Sequence, residues 1–151
     1  MQQLKMINSR SITDLHPEFR KLCISFIADY EMETGLKLLI TCTLRDNLAQ
    51  EALYEQGRTK PGHIVTNAKP GSSFHNYGLA MDAYPMISGK PLFQATDSHG
   101  NLLKEWADFG RIAKRHGLAW AGDWTGSLRE YAHVQAANVT LAQLQKGTQI
   151  A

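Results

Sequence analysis

The sequence predicts an α+β fold, in which a small, mainly antiparallel sheet carries the functional side chains and helices pack behind it. Apolar residues recur at spacings of three and four in two long segments, which is typical of helices with one buried face. Short β-prone runs lie between segments rich in glycine, proline, serine and asparagine, which is typical of strands joined by turns. With 151 residues and 43% hydrophobic content, the chain is expected to form one domain over residues 1–151.

The first predicted elements are a helix and a buried strand. The helix is predicted over residues 11–35, because Pro17 suits its first turn and Gly35 its end. The β-prone run 36–43 follows, and we expect a strand that is buried on both faces and delivers Arg45 at its end. The helix is expected to direct these apolar side chains inward: Leu15, Phe19, Leu22, Phe26, Ile27 and Tyr30.

A second helix and a long loop come next. Asp46 or Asn47 can cap this helix, and Gly57 can end it. Residues 58–75 are rich in glycine, proline, threonine, serine and asparagine, so we expect a loop with at most a short strand at 64–66. A loop of this length in a small domain is often functional.

Residues 78–85 are predicted to form the central strand of the sheet. Asp82 lies within this apolar run, where an unpaired carboxylate would cost several kcal/mol. A metal ion is one partner that would remove this cost. Alternation gives the strand two faces, with Ala80, Asp82 and Tyr84 on one and Leu79, Met81 and Ala83 on the other.

The rest of the chain completes the α+β pattern. Residues 87–100 are predicted to be a second loop, and 102–116 a third helix that ends before a glycine. Strands are expected at 118–120 and 131–135, and a short closing helix at 140–145. The third helix is expected to bury Leu103, Trp106, Phe109, Ile112 and Ala113.

Charge and cysteine usage exclude several classes of protein. The 16 basic and 14 acidic residues leave a net charge of +2, without the clustered basic face of a nucleic-acid-binding domain. Cys23 and Cys42 lie in apolar runs without a matching partner pattern, so we expect buried free thiols rather than a disulfide or a cysteine metal site. The polar start and the lack of a long apolar run predict no signal peptide and no stable membrane association.

The segment from Ser73 to Asp82 predicts half of a zinc site. His75 and Asp82 are seven positions apart, and the small residues Gly78 and Ala80 between them allow close approach of backbone, ion and substrate. A hydrolytic zinc ion takes three protein ligands and keeps a fourth position for water. His133 is the best candidate for the third ligand.

Four segments together resemble the zinc peptidases that cut peptidoglycan peptides, namely the L-alanyl-D-glutamate endopeptidases of phage endolysins and the related D-alanyl-D-alanine carboxypeptidases and dipeptidases. The resemblance covers residues 38–136. The segments are Thr43-Leu44-Arg45 with Gln50 and the run from Leu53 to Thr59; Ser73-x-His75-x-x-Gly78-x-Ala80-x-Asp82; Gly122-Asp123-Trp124; and Glu130-x-x-His133-x-Gln135.

The resemblance implies a role for each matching residue. His75, Asp82 and His133 would hold one catalytic Zn²⁺, and Glu130 would be the catalytic base. Arg45 would meet a substrate oxygen or carboxylate, and Ser73 would orient the substrate. Many endolysin relatives have aspartate in place of Glu130, whereas the dipeptidases have glutamate, and a second glycine often stands in place of Ala121. Residues three apart on a strand face opposite sides, so Glu130 must lie in the turn before the strand of His133.

The resemblance also implies a biological setting. The leading hypothesis is a monomeric phage or prophage endolysin, without a separate wall-binding domain, that hydrolyses peptidoglycan stem peptides at the L-alanyl-D-glutamate bond. It would stay in the host cytoplasm until a holin-type pore releases it to the cell wall. The alternatives are a D-alanyl-D-alanine carboxypeptidase, or a non-catalytic, zinc-stabilised binding module like the hedgehog-type domains, in which Glu130 would be dispensable.

Overall fold

An antiparallel sheet with helices packed on it forms the structure, a computed structural model that describes residues 5–147. The strands are β1 (Leu38–Cys42), β2 (Ala80–Ile87), β3 (Lys90–Pro91), β4 (Leu118–Trp120) and β5 (His133–Ala136), in the order β1-β2-β5-β4 with β3 paired to β2. The longer helices are α1 (Pro17–Thr34), α2 (Asn47–Glu55), α3 (Lys104–Arg115) and α4 (Leu141–Gln145). The predicted α+β class is confirmed. Between residues 5 and 147, no helix has the length and apolar character that crossing a membrane requires.

The register of β2 with its two neighbours brings distant residues together. Asp82 in β2 pairs with His133 of β5 on one side and with Cys42 of β1 on the other. The register of β1 shifts between Ile40 and Cys42, which marks an irregularity at this point of the sheet. Three segments that are far apart in the sequence therefore meet at one end of β2.

The core lies between helices α1 and α3 and the face of β2 that bears Met81 and Ala83. Leu79, Met81 and Ala83 are fully buried there, as the predicted alternation requires. Phe26 of α1 meets Phe109 of α3 edge to face, with ring centroids 5.0 Å apart. Each large apolar side chain buried in this way stabilises the fold by about 1.5–3 kcal/mol. This packing fixes the sheet, and with it the residues on its opposite face.

The helix predictions need two refinements. The helix predicted at 11–35 begins only at Pro17, after a short 3₁₀ turn at Ile12–Asp14, and ends at Gly35 as expected. Leu22 is 39% exposed, so its predicted burial was wrong, and Cys23 is fully buried instead. A cysteine behaves as a small apolar residue, so it closes the stripe between the neighbouring aromatic rings.

Two predictions about the sheet were wrong, and the short strand that the sequence left open at 64–66 is absent. β1 is an edge strand that pairs only with β2 in the named sheet, and Leu39 is 37% exposed, so this strand is not buried on both faces. The loop predicted at 87–100 contains β3, which returns along β2 through the two-residue turn Ser88–Gly89, where both residues have positive φ.

Trp120 packs between two glycines, a contact that explains why both positions lack a side chain. A Cβ added at Gly110 in α3, or at Gly122 after β4, would lie 2.2 Å from an atom of the Trp120 indole ring. The ring is 6% exposed, and its Nε1–H donates to the carbonyl of Tyr131 at 2.7 Å. The two glycines lie against different atoms of the ring, so a side chain at either position would require the buried ring to shift.

We expect Gly110→Ala to destabilise the protein. Alanine gains about 1 kcal/mol of helix propensity, but overpacking a fixed ring costs about 1–3 kcal/mol, so the steric cost exceeds the gain. Thermal unfolding followed by circular dichroism measures the net effect. The control is Ala107→Gly on the exposed side of the same helix, which should lose only about 1 kcal/mol of helix propensity. A Gly110→Ala protein more stable than the parent would contradict the packing argument.

Candidate metal centre

His75 is held in a short 3₁₀ turn, Phe74–Tyr77, that leads into β2. Ser73 caps this turn, because its hydroxyl accepts a hydrogen bond from the backbone N–H of His75 at 3.2 Å. Gly78 ends the turn with a φ of 68°, and a Cβ there would lie 3.0 Å from the backbone nitrogen of His16. The local sequence therefore specifies a tight turn that buries the His75 imidazole, which is 3% exposed.

Three predicted ligands meet at this point. His75 Nε2 lies 3.2 Å from Asp82 Oδ1, and His133 Nδ1 lies 3.0 Å from the same oxygen. The two imidazole rings have centroids 5.1 Å apart. The structure thus brings together the residues that the sequence analysis selected from positions 58 apart, and their role as ligands stays a prediction.

The outer nitrogen of each imidazole is committed to an acceptor. His75 Nδ1 lies 2.8 Å from the carbonyl oxygen of Thr43, and His133 Nε2 lies 2.9 Å from Oε1 of Gln135. Both acceptors favour a hydrogen on these outer nitrogens, so each inner nitrogen can offer a lone pair to a metal ion or carry a second proton toward Asp82. At 3.2 and 3.0 Å, either a proton or a metal ion between these nitrogens and the carboxylate oxygen would offset the repulsion of their lone pairs. Two imidazoles and a carboxylate are a donor set that suits zinc.

The pKa shifts of Asp82 and His75 also indicate that a positive charge is favoured at this site. Burial alone would raise the pKa of Asp82, but hydrogen bonds and charge from His133 and His75 lower it below its usual range. Burial alone would lower the pKa of His75, but its contacts with Asp82 and Cys42 outweigh burial and raise it. A cation of either kind, a proton or a metal ion, is therefore favoured between these side chains.

Glu130 lies beside the three predicted ligands. It precedes β5, in the segment between a 3₁₀ turn at Gly126–Leu128 and His133. Its Oε2 lies 3.7 Å from His133 Nδ1, while its side chain is 63% exposed. A carboxylate that is close to the imidazole and open to solvent can reach a water or a substrate group next to the ligands.

These residues form the floor of a cleft of about 730 Å³. Arg45 and Ser73 line it too, so each predicted site residue faces the same space. Trp124 also lines it, with its ring 5.7 Å from that of His133. Apolar side chains from several segments complete the walls: Leu53, Ile64, Val65, Phe74, Leu128 and Leu141.

Cys42 corrects one expectation from the sequence. It is a buried free thiol, as predicted, but its surroundings are polar, with His75 Nδ1 at 3.5 Å and Arg45 Nη2 at 3.3 Å. Ligand atoms of Cys42, His75 and Asp82 lie within 4.8 Å of one another. The thiol is nevertheless near Nδ1 of His75, on the side that faces Thr43. We therefore assign Cys42 to the support of His75 and Arg45 rather than to the ligand set.

Gln135 also belongs to the site, although no role for it was predicted from the sequence. Gln135 follows His133 by two residues, and such residues share one face of a strand. Its Oε1 lies 2.9 Å from His133 Nε2, where it can accept a hydrogen bond that orients the ring. Acceptors of this kind around a metal-binding histidine commonly set its orientation and basicity. The contacts of Cys42 had no comparable signal, because they depend on the pairing of β1 with β2.

The fold and the site together define a candidate hydrolase with a predicted metal centre. Within this class, the chain belongs to the M15 family of peptidases. Residues 66–136 match a family model described as D-alanyl-D-alanine carboxypeptidase. The chain is also 37% identical over 125 residues to the peptidoglycan L-alanyl-D-glutamate endopeptidase CwlK of Bacillus subtilis, covering 82% of this chain and 74% of that protein.

Solved structures of similar fold support the architecture. The Serratia marcescens L-Ala D-Glu endopeptidase ChiX superposes with a TM-score of 0.58 at 17% identity, over 87% of this chain and 89% of that one. The LD-carboxypeptidase LdcB gives a TM-score of 0.62 at 17% identity, over 88% of this chain and 64% of that one. At this level of identity the likeness concerns the fold alone.

Proposed function

We propose that this chain is a zinc-dependent peptidase that cuts peptidoglycan stem peptides at the L-alanyl-D-glutamate bond. The observation that carries this proposal is the convergence of His75 and His133 on one oxygen of Asp82, with Glu130 beside them at the floor of an open cleft. The relation to CwlK, a peptidoglycan L-alanyl-D-glutamate endopeptidase, supports the choice of bond.

In this proposal each side chain has a separate role in amide hydrolysis. A bound zinc ion would supply a Lewis acid and lower the pKa of a water to about 7. His75, Asp82 and His133 would hold the ion. Glu130 accepts a proton from the attacking water and passes it to the leaving amine, which a solvent-facing carboxylate beside the ligands can do.

Two further side chains bind the substrate. Arg45 supplies a cation to a substrate carboxylate or to the oxygen that becomes negative during attack. Ser73 orients the peptide from the rim of the His75 turn, where its hydroxyl also caps that turn.

The family description supports a second candidate activity, cleavage of a terminal D-alanine. Mass spectrometry of the products from purified muropeptides decides between the two. We expect separation of L-alanine from D-glutamate. Release of only D-alanine would overturn the endopeptidase proposal and support the carboxypeptidase.

The endolysin role, with residence in the host cytoplasm as a monomer and release through a holin-type pore, is proposed on the sequence resemblance. Expression inside bacteria tests it. We expect intact cells when the chain is expressed alone, and rapid lysis when a pore-forming protein is expressed with it. Lysis that is independent of the pore would contradict this route to the cell wall.

We expect Gln135→Leu to weaken zinc binding by about 10- to 100-fold, because the outer nitrogen of His133 loses the acceptor that orients the ring. Competition with a chromophoric chelator measures the affinity directly, without reference to turnover. The matched control is Gln94→Leu, an exposed glutamine whose side chain hydrogen-bonds only to the carbonyl of Thr96 among the described residues. Equal zinc affinities of the Gln135→Leu variant and the parent would contradict the role of this hydrogen bond.

A further inference from the structure

Gln50 is a fully buried polar residue on α2, the helix that follows Arg45. Its Oε1 accepts hydrogen bonds from Arg45 Nη1 at 3.1 Å and from Asn76 Nδ2 at 3.4 Å. Its Nε2 donates to the carbonyl oxygen of Ala68 at 2.8 Å. One buried carboxamide therefore contacts Arg45, the His75 turn and the loop at the cleft wall.

The guanidinium of Arg45 depends on Gln50 for its orientation. Among the described residues, its hydrogen-bond acceptors are Oε1 of Gln50 and the sulfur of Cys42, and its Nε is buried without a partner. Sulfur is a weak acceptor, so the carboxamide oxygen provides the stronger contact. Without it, the long arginine side chain would lose the contact that selects one of its rotamers.

The backbone of Arg45 is fixed independently of Gln50. The N–H of Arg45 donates to the carbonyl of His75 at 3.0 Å, and Asn76 Nδ2 donates to the carbonyl of Arg45 at 2.9 Å. The position of the Cα relative to the His75 turn is thus set by the main chain. Gln50 determines where the charged end of the side chain lies.

A neutral partner preserves the charge of Arg45. Of the described residues that line the cleft, Arg45 is the only lysine or arginine, while Asp82 and Glu130 are acidic. A glutamate at position 50 would form a buried ion pair and cancel that positive charge. A glutamine holds the guanidinium by a hydrogen bond and leaves its charge available to an anionic substrate.

A simpler role for Gln50 would be to support the loop that contains Ala68. That loop is, however, also held by another residue. Arg58 donates to the carbonyls of Tyr54 and Thr66 and to the side chain of Asn67, at 2.7, 3.0 and 3.2 Å. Its guanidinium also lies 3.9 Å from the centre of the Tyr54 ring. The loop is therefore tied to α2 beside the Ala68 contact.

We propose that Gln50 is a positioning residue that holds the Arg45 guanidinium oriented and charged toward a carboxylate-bearing peptide substrate. This inference rests on the proposed function. Gln50 acts through Arg45, so its removal should matter only while Arg45 is present.

A double-mutant cycle tests this dependence with the zinc-loaded protein and a synthetic peptide that contains an L-alanyl-D-glutamate bond and a free carboxylate. Gln50→Met keeps the volume but removes the acceptor, and should lower kcat/KM by about 10- to 100-fold. In an Arg45→Ala background the same change should cost less than about threefold. Additive losses would overturn the proposal.

The matched control is Gln56→Met, which also removes a hydrogen bond from a glutamine amide to a carbonyl of the same loop, that of His63 at 3.0 Å. It should stay within about twofold of the parent. A loss as large as that of Gln50→Met would assign the effect to the loop and overturn the role through Arg45. Thermal unfolding of each variant confirms that a folded protein is compared.

Gln50→Glu tests whether the charge of Arg45 must stay available. This variant keeps an oxygen facing Arg45, so it can also replace Gln50→Met if the methionine variant does not fold. It should raise KM for the anionic peptide by about tenfold. An unchanged KM would overturn the proposal.

Calorimetric titration of the peptide into Glu130→Gln protein, with and without Gln50→Met, separates this inference from the proposed function. A parent enzyme that does not cut the peptide disproves the proposed function. Peptide binding weakened by about tenfold in the double variant still supports the role of Gln50. Equal peptide affinities of the two variants would overturn that role, regardless of the rate at which the parent cuts the peptide.

Discussion

Glu130→Gln should lower the rate of wall-peptide hydrolysis by about 10²- to 10⁴-fold, the range typical for loss of a positioned general base. The amide keeps the size of the side chain but cannot accept a proton from water. Bound zinc should remain at one ion per chain, because the atoms of His75, Asp82 and His133 that face one another are unchanged. Release of muropeptides from purified cell walls, with zinc analysis of the same sample, measures both.

The stability of this variant should match the parent within about 0.5 kcal/mol, since a 63% exposed side chain makes few packing contacts. Glu51→Gln, at an exposed position of α2, provides a control for the same chemical change. Clearance of cell walls by Glu130→Gln at the parental rate would disprove the role of this residue. It would favour the alternative of a zinc-stabilised binding module, in which no base is needed.

Asp82→Asn should abolish stoichiometric zinc binding and hydrolysis together. The carboxylate oxygen of Asp82 is the atom that both imidazoles approach, at 3.2 and 3.0 Å. A neutral amide there removes the negative charge that favours a cation and can direct N–H groups at the ligands. The loss of activity should exceed that of every other single substitution considered for this site, because the ion itself is lost.

Zinc-dependent stabilisation measures this effect apart from activity. A ligand that binds the folded state stabilises it by about 2.7 kcal/mol at 100 times its Kd, so zinc should raise the unfolding midpoint of the parent. The midpoint of Asp82→Asn should not respond to zinc. Asp123→Asn, which alters a half-exposed carboxylate paired with Lys114, should respond like the parent. An equal zinc response of Asp82→Asn would disprove the proposed ligand set.

The sequence allowed prediction of the elements whose signals are local. The caps of α1 and α2, the central strand β2 and the inward face of α3 follow from residues within a few positions of each element. The site residues His75, Asp82 and His133 were selected because each lies in a patterned segment. Their meeting at one point required the pairing of β2 with β5, which the spacing alone does not determine.

The sequence did not allow prediction of features that depend on how distant segments pack together. β1 is β-prone throughout, but whether it lies at the centre or the edge depends on how many strands pair with it. The polar contacts of Cys42 and Gln50 arise only when β1, α2 and the His75 turn are assembled. Ile64 and Val65 are residue types that favour a strand, yet they lie in a loop, where they line the cleft.

The two outer acceptors of the imidazoles, Thr43 and Gln135, have a consequence for the order of folding and metal loading. Thr43 follows β1 and Gln135 lies in β5, so the pairing of these strands with β2 would prepare the geometry of the proposed zinc site before an ion binds. Zinc fingers behave differently, because their chains fold only with the ion. We therefore expect exchange of the ion in the native state, which would make catalytic output follow the zinc supply of the compartment without any turnover of the protein itself.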